Sequence, residues 1–320
     1  MRFFSAFFSA KSFLLRVLDF LRLRTFMGKA AVVALPYGWH IIFFLIPFLI
    51  VLKISFSQSL LGAPPYSDLF SWFEDDILQL RLNLGNYFYL GEDNLYLAAY
   101  WESIRLSGFA TLISLLIGYP IAYGIARVTP GVRIFLLLLI ILPFWTSFLI
   151  RVYAWIGLLN NGGLINTLLL KTGMIQEPLS LMHNDFAVCL GIVYSYLPFM
   201  ILPLYVSLDK INPRLLEAAH DLGCKPVKSF FLVTLPLSLR GAIAGGMLVF
   251  IPGVGEYIIP ELLGGSESIM VGKILWSEFF VNRDWPLASA LAISMLVLLV
   301  LPIIIFQRLL SSETEKAPPL

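Results

Sequence analysis

The chain has 320 residues, of which 59% are hydrophobic and only 13% are charged. Soluble domains usually carry about 25% charged residues, so this composition argues against a soluble protein and favours one bundle of membrane-spanning helices. The formal net charge of +2 is too small to indicate a nucleic-acid partner.

Residues 1–29 precede the first long apolar run and mix basic with apolar side chains. Lys11, Arg16, Asp19 and Arg22 fall roughly on one face of a helix, a pattern typical of an amphipathic helix on a membrane surface. No small-residue cleavage site separates this segment from the apolar run, so it does not resemble a signal peptide. We predict that residues 1–29 lie on the inner surface of the membrane.

Six apolar runs are candidates for membrane-spanning helices, which need about 20 mostly apolar residues each. Five contain no Asp, Glu, Lys or Arg, and the fifth run in chain order contains only Glu256. The third run is short, but it can extend past Arg151 through Val152–Leu159. We predict an all-α, polytopic membrane protein whose six helices lie within residues 30–310, followed by a cytoplasmic tail at 311–320. The runs are Ala30–Leu52, Leu106–Ala126, Ile134–Ile150, Phe186–Leu208, Gly241–Pro260 and Leu287–Gln307.

The lysine and arginine residues predict the orientation of these spans. Six precede the first span, two lie between spans two and three, five between spans four and five, and two after span six, which makes 15 of the 22. Basic residues accumulate on the cytoplasmic side of membrane proteins. We therefore predict that both termini are cytoplasmic.

The opposite side carries one long segment, Ser55–Arg105, with seven acidic residues against Arg81 and Arg105. Its tryptophan and tyrosine residues suit a membrane interface or a docking surface. Two interpretations stay open: a solvated loop, or a docking site for an external substrate-binding protein.

The loop between spans four and five has strong local signals for a helical hairpin. Asn212 is an N-cap candidate and Pro213 suits the first helical position. Gly223 is placed to end this helix in a left-handed conformation. A second short helix, Pro226–Val233, then leads to Leu235-Pro236 and the next span.

The same loop has the spacing EAA, three residues, Gly, nine residues, Val, one residue, Leu-Pro. This spacing resembles the EAA loop of type I ABC importer permeases, and the resemblance extends over nearly all six spans. It implies the fold of those permeases and a helix that docks on an ATPase subunit and couples ATP hydrolysis to the membrane helices. The residues that match are Glu217, Ala218, Ala219, Gly223, Leu235 and Pro236.

The resemblance also implies a set of partners in a bacterial inner membrane. The chain has no G-x-x-x-x-G-K-[ST] phosphate loop, so we expect ATP and Mg²⁺ to be bound by a separate ATP-binding subunit, present in two copies. Six helices are half of the usual permease core, so a second permease subunit is expected. An external substrate-binding protein completes the assembly, and this chain itself is expected to bind no cofactor.

Three further stretches resemble the polyamine branch of these importers: Leu142–Trp155, Pro252–Gly265 and Asn282–Pro286. The resemblance is to the first permease subunit of putrescine and spermidine importers, with putrescine as the preferred substrate. Permeases for opines, phosphonates and iron(III) share parts of these patterns and remain alternatives, as does spermidine.

Glu256 is the only acidic residue within a predicted span, where a charge costs about 2.5–3.5 kcal/mol at the bilayer centre. Pro252, Gly253 and Gly255 are expected to interrupt the helix just before it, and broken helices are tolerated where they line a cavity. We predict that Glu256 attracts a cationic substrate. The alternatives are a solvated carboxylate near the outer interface and a structural pair with a neighbouring helix.

Four aromatic residues are predicted to accompany Glu256 along the substrate path through cation–π contacts. A belt of aromatic residues at the membrane interface is the competing interpretation. The four are Tyr257, Trp155, Tyr153 and Trp145.

Other classes of protein fit the sequence less well. A membrane-embedded enzyme would need clustered His, Asp or Glu within its spans, and only Glu256 is there, so we predict a transport subunit rather than an enzyme. The three histidines are scattered, which predicts no metal site. A scaffold would not need an EAA loop, and a transporter driven by an ion gradient would usually show inverted repeats.

Overall fold

The computed structural model describes residues 32–73 and 77–314. The predicted segment 1–29 and the last six residues of the predicted tail lie outside these ranges. Six helical stretches are long and apolar enough to cross a membrane, which agrees with the predicted number. They are Val32–Ser55, Asn94–Arg127, Phe148–Lys171, Asp185–Asp209, Pro226–Val254 and Trp285–Ile304.

The helices are numbered in chain order, with Pro226–Val254 treated as one helix that contains a π-helical turn, Phe230–Thr234. Another π-helical turn, Ile41–Leu45, lies within α1, and a third, Ser277–Val281, follows α11. The bounds are α1 Val32–Ser55, α2 Gly85–Glu92, α3 Asn94–Arg127, α4 Pro130–Ile141, α5 Phe148–Leu159, α6 Leu164–Lys171, α7 Asp185–Asp209, α8 Pro213–Asp221, α9 Pro226–Val254, α10 Ile258–Leu263, α11 Val271–Trp276 and α12 Trp285–Thr314.

One short β-hairpin interrupts the otherwise helical fold. Strands β1 (Phe70–Phe73) and β2 (Ile77–Leu80) pair antiparallel, with Phe70 opposite Leu80 and Phe73 opposite Ile77. The hairpin lies in the long segment between α1 and α3, where no secondary structure was predicted. The mostly helical class is confirmed.

The third predicted span is not one continuous helix. After α4 the chain makes a single 3₁₀ turn, Leu142–Trp145, and then becomes extended at Thr146 and Ser147 before α5 begins. Pro143 has no N–H to donate to the helix. Its carbonyl oxygen accepts a hydrogen bond from the Thr146 hydroxyl at 2.7 Å, and the helix ends there. The prediction of an unbroken run over 134–150 was therefore wrong, whereas its extension to residue 159 agrees with the end of α5.

Two ion pairs define the two ends of the bundle. The Arg105 guanidinium of α3 contacts Asp185 at the start of α7, and Arg133 of α4 lies 2.8 Å from Asp209 at the end of α7. Helices α3 and α7 therefore run parallel, and the chain crosses back from the Asp209 end to the Asp185 end between Arg133 and Asp185. The kinked pair α4 and α5 lies within this crossing.

Helices α3, α7 and α9 pack against one another at the centre of the bundle. Their contact depends on small residues, as is common between membrane helices. A Cβ added to Gly245 of α9 would stand 2.9 Å from the carbonyl oxygen of Met200 in α7, and one added to Gly241 would stand 2.5 Å from the Ser207 Cβ. The two backbones therefore approach closely along this face.

The fifth predicted span has different bounds in the structure. Its helix begins at Pro226 rather than Gly241, because the predicted short helix Pro226–Val233 continues into the span through the π-helical turn. Pro236 has no N–H to donate to the preceding turn, and the wider spacing of the π-helical turn just before it accommodates this missing hydrogen bond. The helix ends at Val254 with Gly255 as its C-cap, so the predicted interruption before Glu256 is confirmed.

Candidate functional site

The loop helix α8 begins and ends as its sequence predicts. The Asn212 side chain accepts a hydrogen bond from the Arg214 backbone N–H at 3.1 Å, and Pro213 is the first helical residue. Gly223 has a φ of +77°, in the left-handed region that favours glycine. The Gly223 N–H donates to the His220 carbonyl at 2.8 Å and the Cys224 N–H to the Ala219 carbonyl at 2.9 Å, which is the hydrogen-bond pattern of a Schellman motif.

The motif residues of this loop divide into a surface group and an anchoring group. Glu217, Ala218 and Gly223 are exposed, and Ala219 is half-buried. Leu222 and Val227, on either side of the glycine turn, are 88% and 71% exposed. Exposed apolar side chains beside small residues are typical of a protein-docking surface.

The anchoring group holds α9 to the bundle just after the loop. Leu235 packs against a buried cluster formed by α3, α7 and α9, whereas Pro236 is exposed. The hydroxyl groups of Tyr119 in α3 and Ser238 in α9 are hydrogen-bonded at 2.6 Å. One helix, α9, therefore leads from the glycine turn of the loop to the break at Gly255.

Glu256 lies at that break with its side chain buried. The Tyr196 hydroxyl of α7 donates a hydrogen bond to one carboxylate oxygen. The other oxygen accepts the backbone N–H groups of Ile258 and Ile259 at 3.0 and 3.4 Å. Glu256 therefore caps the first turn of α10 and joins it to α7. These hydrogen bonds fit the alternative prediction, a structural pair of Glu256 with a neighbouring helix.

The four predicted aromatic residues do not form one group around Glu256. The Tyr257 ring stacks on Trp276 with centroids 5.0 Å apart, and the Trp155 ring meets Tyr194 edge to face at 5.4 Å. Tyr153 and Trp145 are 58% and 82% exposed, as expected for side chains that face lipid or a partner protein.

Two charged residues of the site were missed by sequence reasoning. Glu278 is buried and accepts hydrogen bonds from the Tyr96 hydroxyl at 3.0 Å and the Asn282 side-chain amide at 2.9 Å. It lies outside every predicted span, and a lone acid within the apolar stretch 274–281 was the only signal. The other is Arg151, for which no role was predicted beyond its place between the two halves of the third span.

Arg151 lies in α5 between two aromatic rings. Its guanidinium carbon lies 5.4 Å from the ring centroid of Phe144 and 5.6 Å from that of Phe148. Its Nε and one terminal nitrogen are buried without a hydrogen-bond partner in the described part of the chain. Arg151 therefore makes cation–π contacts with both rings.

The chain has clear relatives among known proteins. Residues 97–316 match the family described as binding-protein-dependent transport system inner membrane component. The chain is 41% identical over 276 residues to the spermidine/putrescine transport system permease protein PotB of Haemophilus influenzae, covering 86% of this chain and 92% of that protein. It is 35% identical over 283 residues to the protein of the same name from Escherichia coli, covering 87% and 97%.

A solved structure agrees on the fold. The crystal structure of a bacterial ABC transporter involved in alginate import matches with a TM-score of 0.63 over 90% of this chain and 99% of that chain, at 16% identity. The family match covers more than half of the chain, and its relatives are transport subunits rather than enzymes. The chain therefore belongs to the inner membrane components of binding-protein-dependent transport systems and is a multi-pass ABC importer permease.

Proposed function

We propose that this chain is a permease subunit of an ATP-driven importer for polyamines. The observation that carries the proposal is its similarity to two permeases named for spermidine and putrescine transport, over 86% and 87% of this chain. Polyamines carry two or more positive charges at neutral pH, because amine pKa values lie near 10. A carboxylate at a helix break, such as Glu256, suits such a cation.

In this proposal α8 docks on an ATP-binding subunit, with Glu217 at the interface. The exposed Ala218, the Gly223 turn and the exposed Leu222 support this role, since small and apolar surface groups allow close approach. Movement of α8 would pass along α9 to the break at Gly255. We expect two copies of the ATP-binding subunit and a second permease subunit in the complete complex.

The proposed orientation places the Asp209 end in the cytoplasm and the Asp185 end outside. It is supported by the accumulation of basic residues beside the loop, since positive charge favours the cytoplasmic side. Both termini are then inside. The segment between α1 and α3, with its β-hairpin, would face an external substrate-binding protein.

Putrescine is the substrate we prefer, with spermidine, an opine, a phosphonate or iron(III) as alternatives. The test is ATP-dependent uptake of labelled putrescine and spermidine by proteoliposomes that contain this chain, its partner permease, the ATP-binding subunit and the binding protein. We expect uptake of putrescine that stops without ATP. Uptake that continues without ATP and follows an ion gradient would contradict the proposal.

A further inference from the structure

Glu278 is a buried carboxylate with neutral partners. Its side chain is 8% exposed and lies in the π-helical turn that follows α11. The Tyr96 hydroxyl and the Asn282 amide donate hydrogen bonds to its two oxygens. No lysine or arginine nitrogen forms an ion pair with it among the residues that the structure describes. Its negative charge is therefore hydrogen-bonded but not balanced by a nearby cation.

The environment of Glu278 resembles that of Glu256. Glu256 and Glu278 are 7% and 8% exposed, and each carboxylate accepts a hydrogen bond from a tyrosine of a different long helix, Tyr196 in α7 or Tyr96 in α3. The two segments touch at Gly272, where an added Cβ would stand 2.6 Å from the Glu256 carbonyl oxygen. Glu278 follows Gly272 by six residues, a rise of about 9 Å along a helix.

Aromatic rings lie near both carboxylates along the chain. The Tyr257 ring, next to Glu256, stacks on Trp276, which is two residues before Glu278. On the other side, the Tyr96 ring meets Tyr89 edge to face with centroids 5.8 Å apart, and Tyr89 is 50% exposed. Such rings can contact both ammonium groups and methylene chains.

The surroundings of Tyr89 are negatively charged. The pKa of the Tyr89 phenol is raised, mainly by the charge of Asp93 and then by burial. The charges of Glu278 and Asp284 raise it further. Asp93 and Asp284 also cap α3 and α12 through the backbone N–H groups of Leu95 and Leu287, at 2.8 and 3.1 Å. These capping hydrogen bonds give the two aspartates a structural role, but they leave their negative charges in place.

We propose that Glu278 is a specificity-determining residue for the substrate, holding one ammonium group beside Tyr89 and Trp276 while Glu256 attracts the other. The ligand class is an aliphatic diamine or longer polyamine, whose methylene chain would cross the Tyr257–Trp276 stack. This inference rests on the proposed function. It adds a second anionic contact that would favour dications over simple monoamines.

The test compares two Glu→Gln substitutions, one at Glu278 and one at Glu261 in α10. Glu278→Gln keeps one oxygen that can accept the Tyr96 hydrogen bond but removes the charge. Glu261→Gln is the control, because the Glu261 carboxylate lies 3.3 Å from the Lys273 amine and is already neutralised. Each variant is assembled with its partners in proteoliposomes, and complex formation is measured by co-purification beside the uptake of labelled putrescine.

We expect Glu278→Gln to assemble and to lower the uptake rate about fivefold, since one charge–charge contact of about 1 kcal/mol corresponds to that factor. Glu278→Asp, which keeps the charge, should restore part of the rate, and Glu261→Gln should transport normally. If Glu278→Gln transports like Glu261→Gln, or if Glu278→Asp is as impaired as Glu278→Gln, the inference is wrong. If the unmodified complex carries neither putrescine nor spermidine, the proposed function itself fails.

Discussion

Tyr196 of α7 donates a hydrogen bond to the carboxylate of Glu256, at the break between α9 and α10. The same carboxylate caps α10 through Ile258 and Ile259. Glu256 therefore joins three helices at the point where α9 ends. A cation that entered this site would compete with the hydroxyl for the carboxylate.

The first prediction separates the charge of Glu256 from its capping role. Glu256→Gln keeps an oxygen that can accept the Ile258 N–H, so the complex should still assemble. Loss of the charge should lower putrescine uptake several-fold in proteoliposomes. Tyr196→Phe serves as the comparison, because it removes the hydroxyl and keeps the charge. Uptake at the unmodified rate by Glu256→Gln would mean that the carboxylate is structural.

The second prediction concerns the contact between α7 and α9. Gly245→Ala places a methyl group 2.9 Å from a backbone oxygen, which cannot move as a flexible side chain does. We expect a loss of about 1–3 kcal/mol in stability, the usual cost of overpacking. The measurement is the melting temperature of the purified protein in detergent.

Gly246 provides a matched control for this change. A Cβ at Gly246 would meet Thr111 at 3.6 Å, an ordinary van der Waals distance. Gly246→Ala should therefore leave the melting temperature nearly unchanged. Equal melting temperatures for the two variants would contradict the close approach of α7 and α9 at Gly245.

The third prediction tests the turn after α8. At Gly223 the left-handed φ disfavours any residue with a side chain, by about 1 kcal/mol. Gly223→Asp also adds a charge to the proposed docking surface. We expect this variant to insert in the membrane and to lose ATP-driven uptake. Gly173, with a φ of +72° in the turn after α6, is the control, and Gly173→Asp should retain uptake. Normal uptake by Gly223→Asp would remove the loop from the coupling mechanism.

The fourth prediction concerns orientation and uses a native thiol. Cys224 is half-buried beside the Gly223 turn, whereas Cys189 is buried. In intact cells an impermeant maleimide should leave Cys224 unmodified, because the loop is predicted to be cytoplasmic. A cysteine introduced at the fully exposed Leu61, in a Cys224→Ser background, should react. Labelling of Cys224 without labelling of Leu61→Cys would reverse the proposed topology.

Much of the fold follows from local sequence. In the described part of the chain the long apolar runs are helical except at the breaks at Thr146–Ser147 and Gly255, because backbone groups must be hydrogen-bonded within the segment in a bilayer. The caps of α8 were equally predictable, since Asn212 and Gly223 act on residues within a few positions of themselves. The break at Gly255 also followed from its own neighbourhood.

Local contacts that the apolar runs do not show decided two element bounds. Helix α3 begins twelve residues before its predicted span, because Asp93 caps it and the charge of Arg105 is paired with Glu102 at 3.0 Å. The kink at Pro143 depends on the Pro143 carbonyl accepting a hydrogen bond from the Thr146 hydroxyl, which the run of apolar residues does not indicate.

The sequence by itself determined the membrane class, the number of spans and the EAA-loop motif, since each depends on residues that are neighbours along the chain. Only the tertiary structure decided the surroundings of the two buried carboxylates. Glu256 meets Tyr196 from 60 residues away and Glu278 meets Tyr96 from 182 residues away. No local periodicity records such a pair, because helix packing brings the donor to the acceptor only after the bundle has formed.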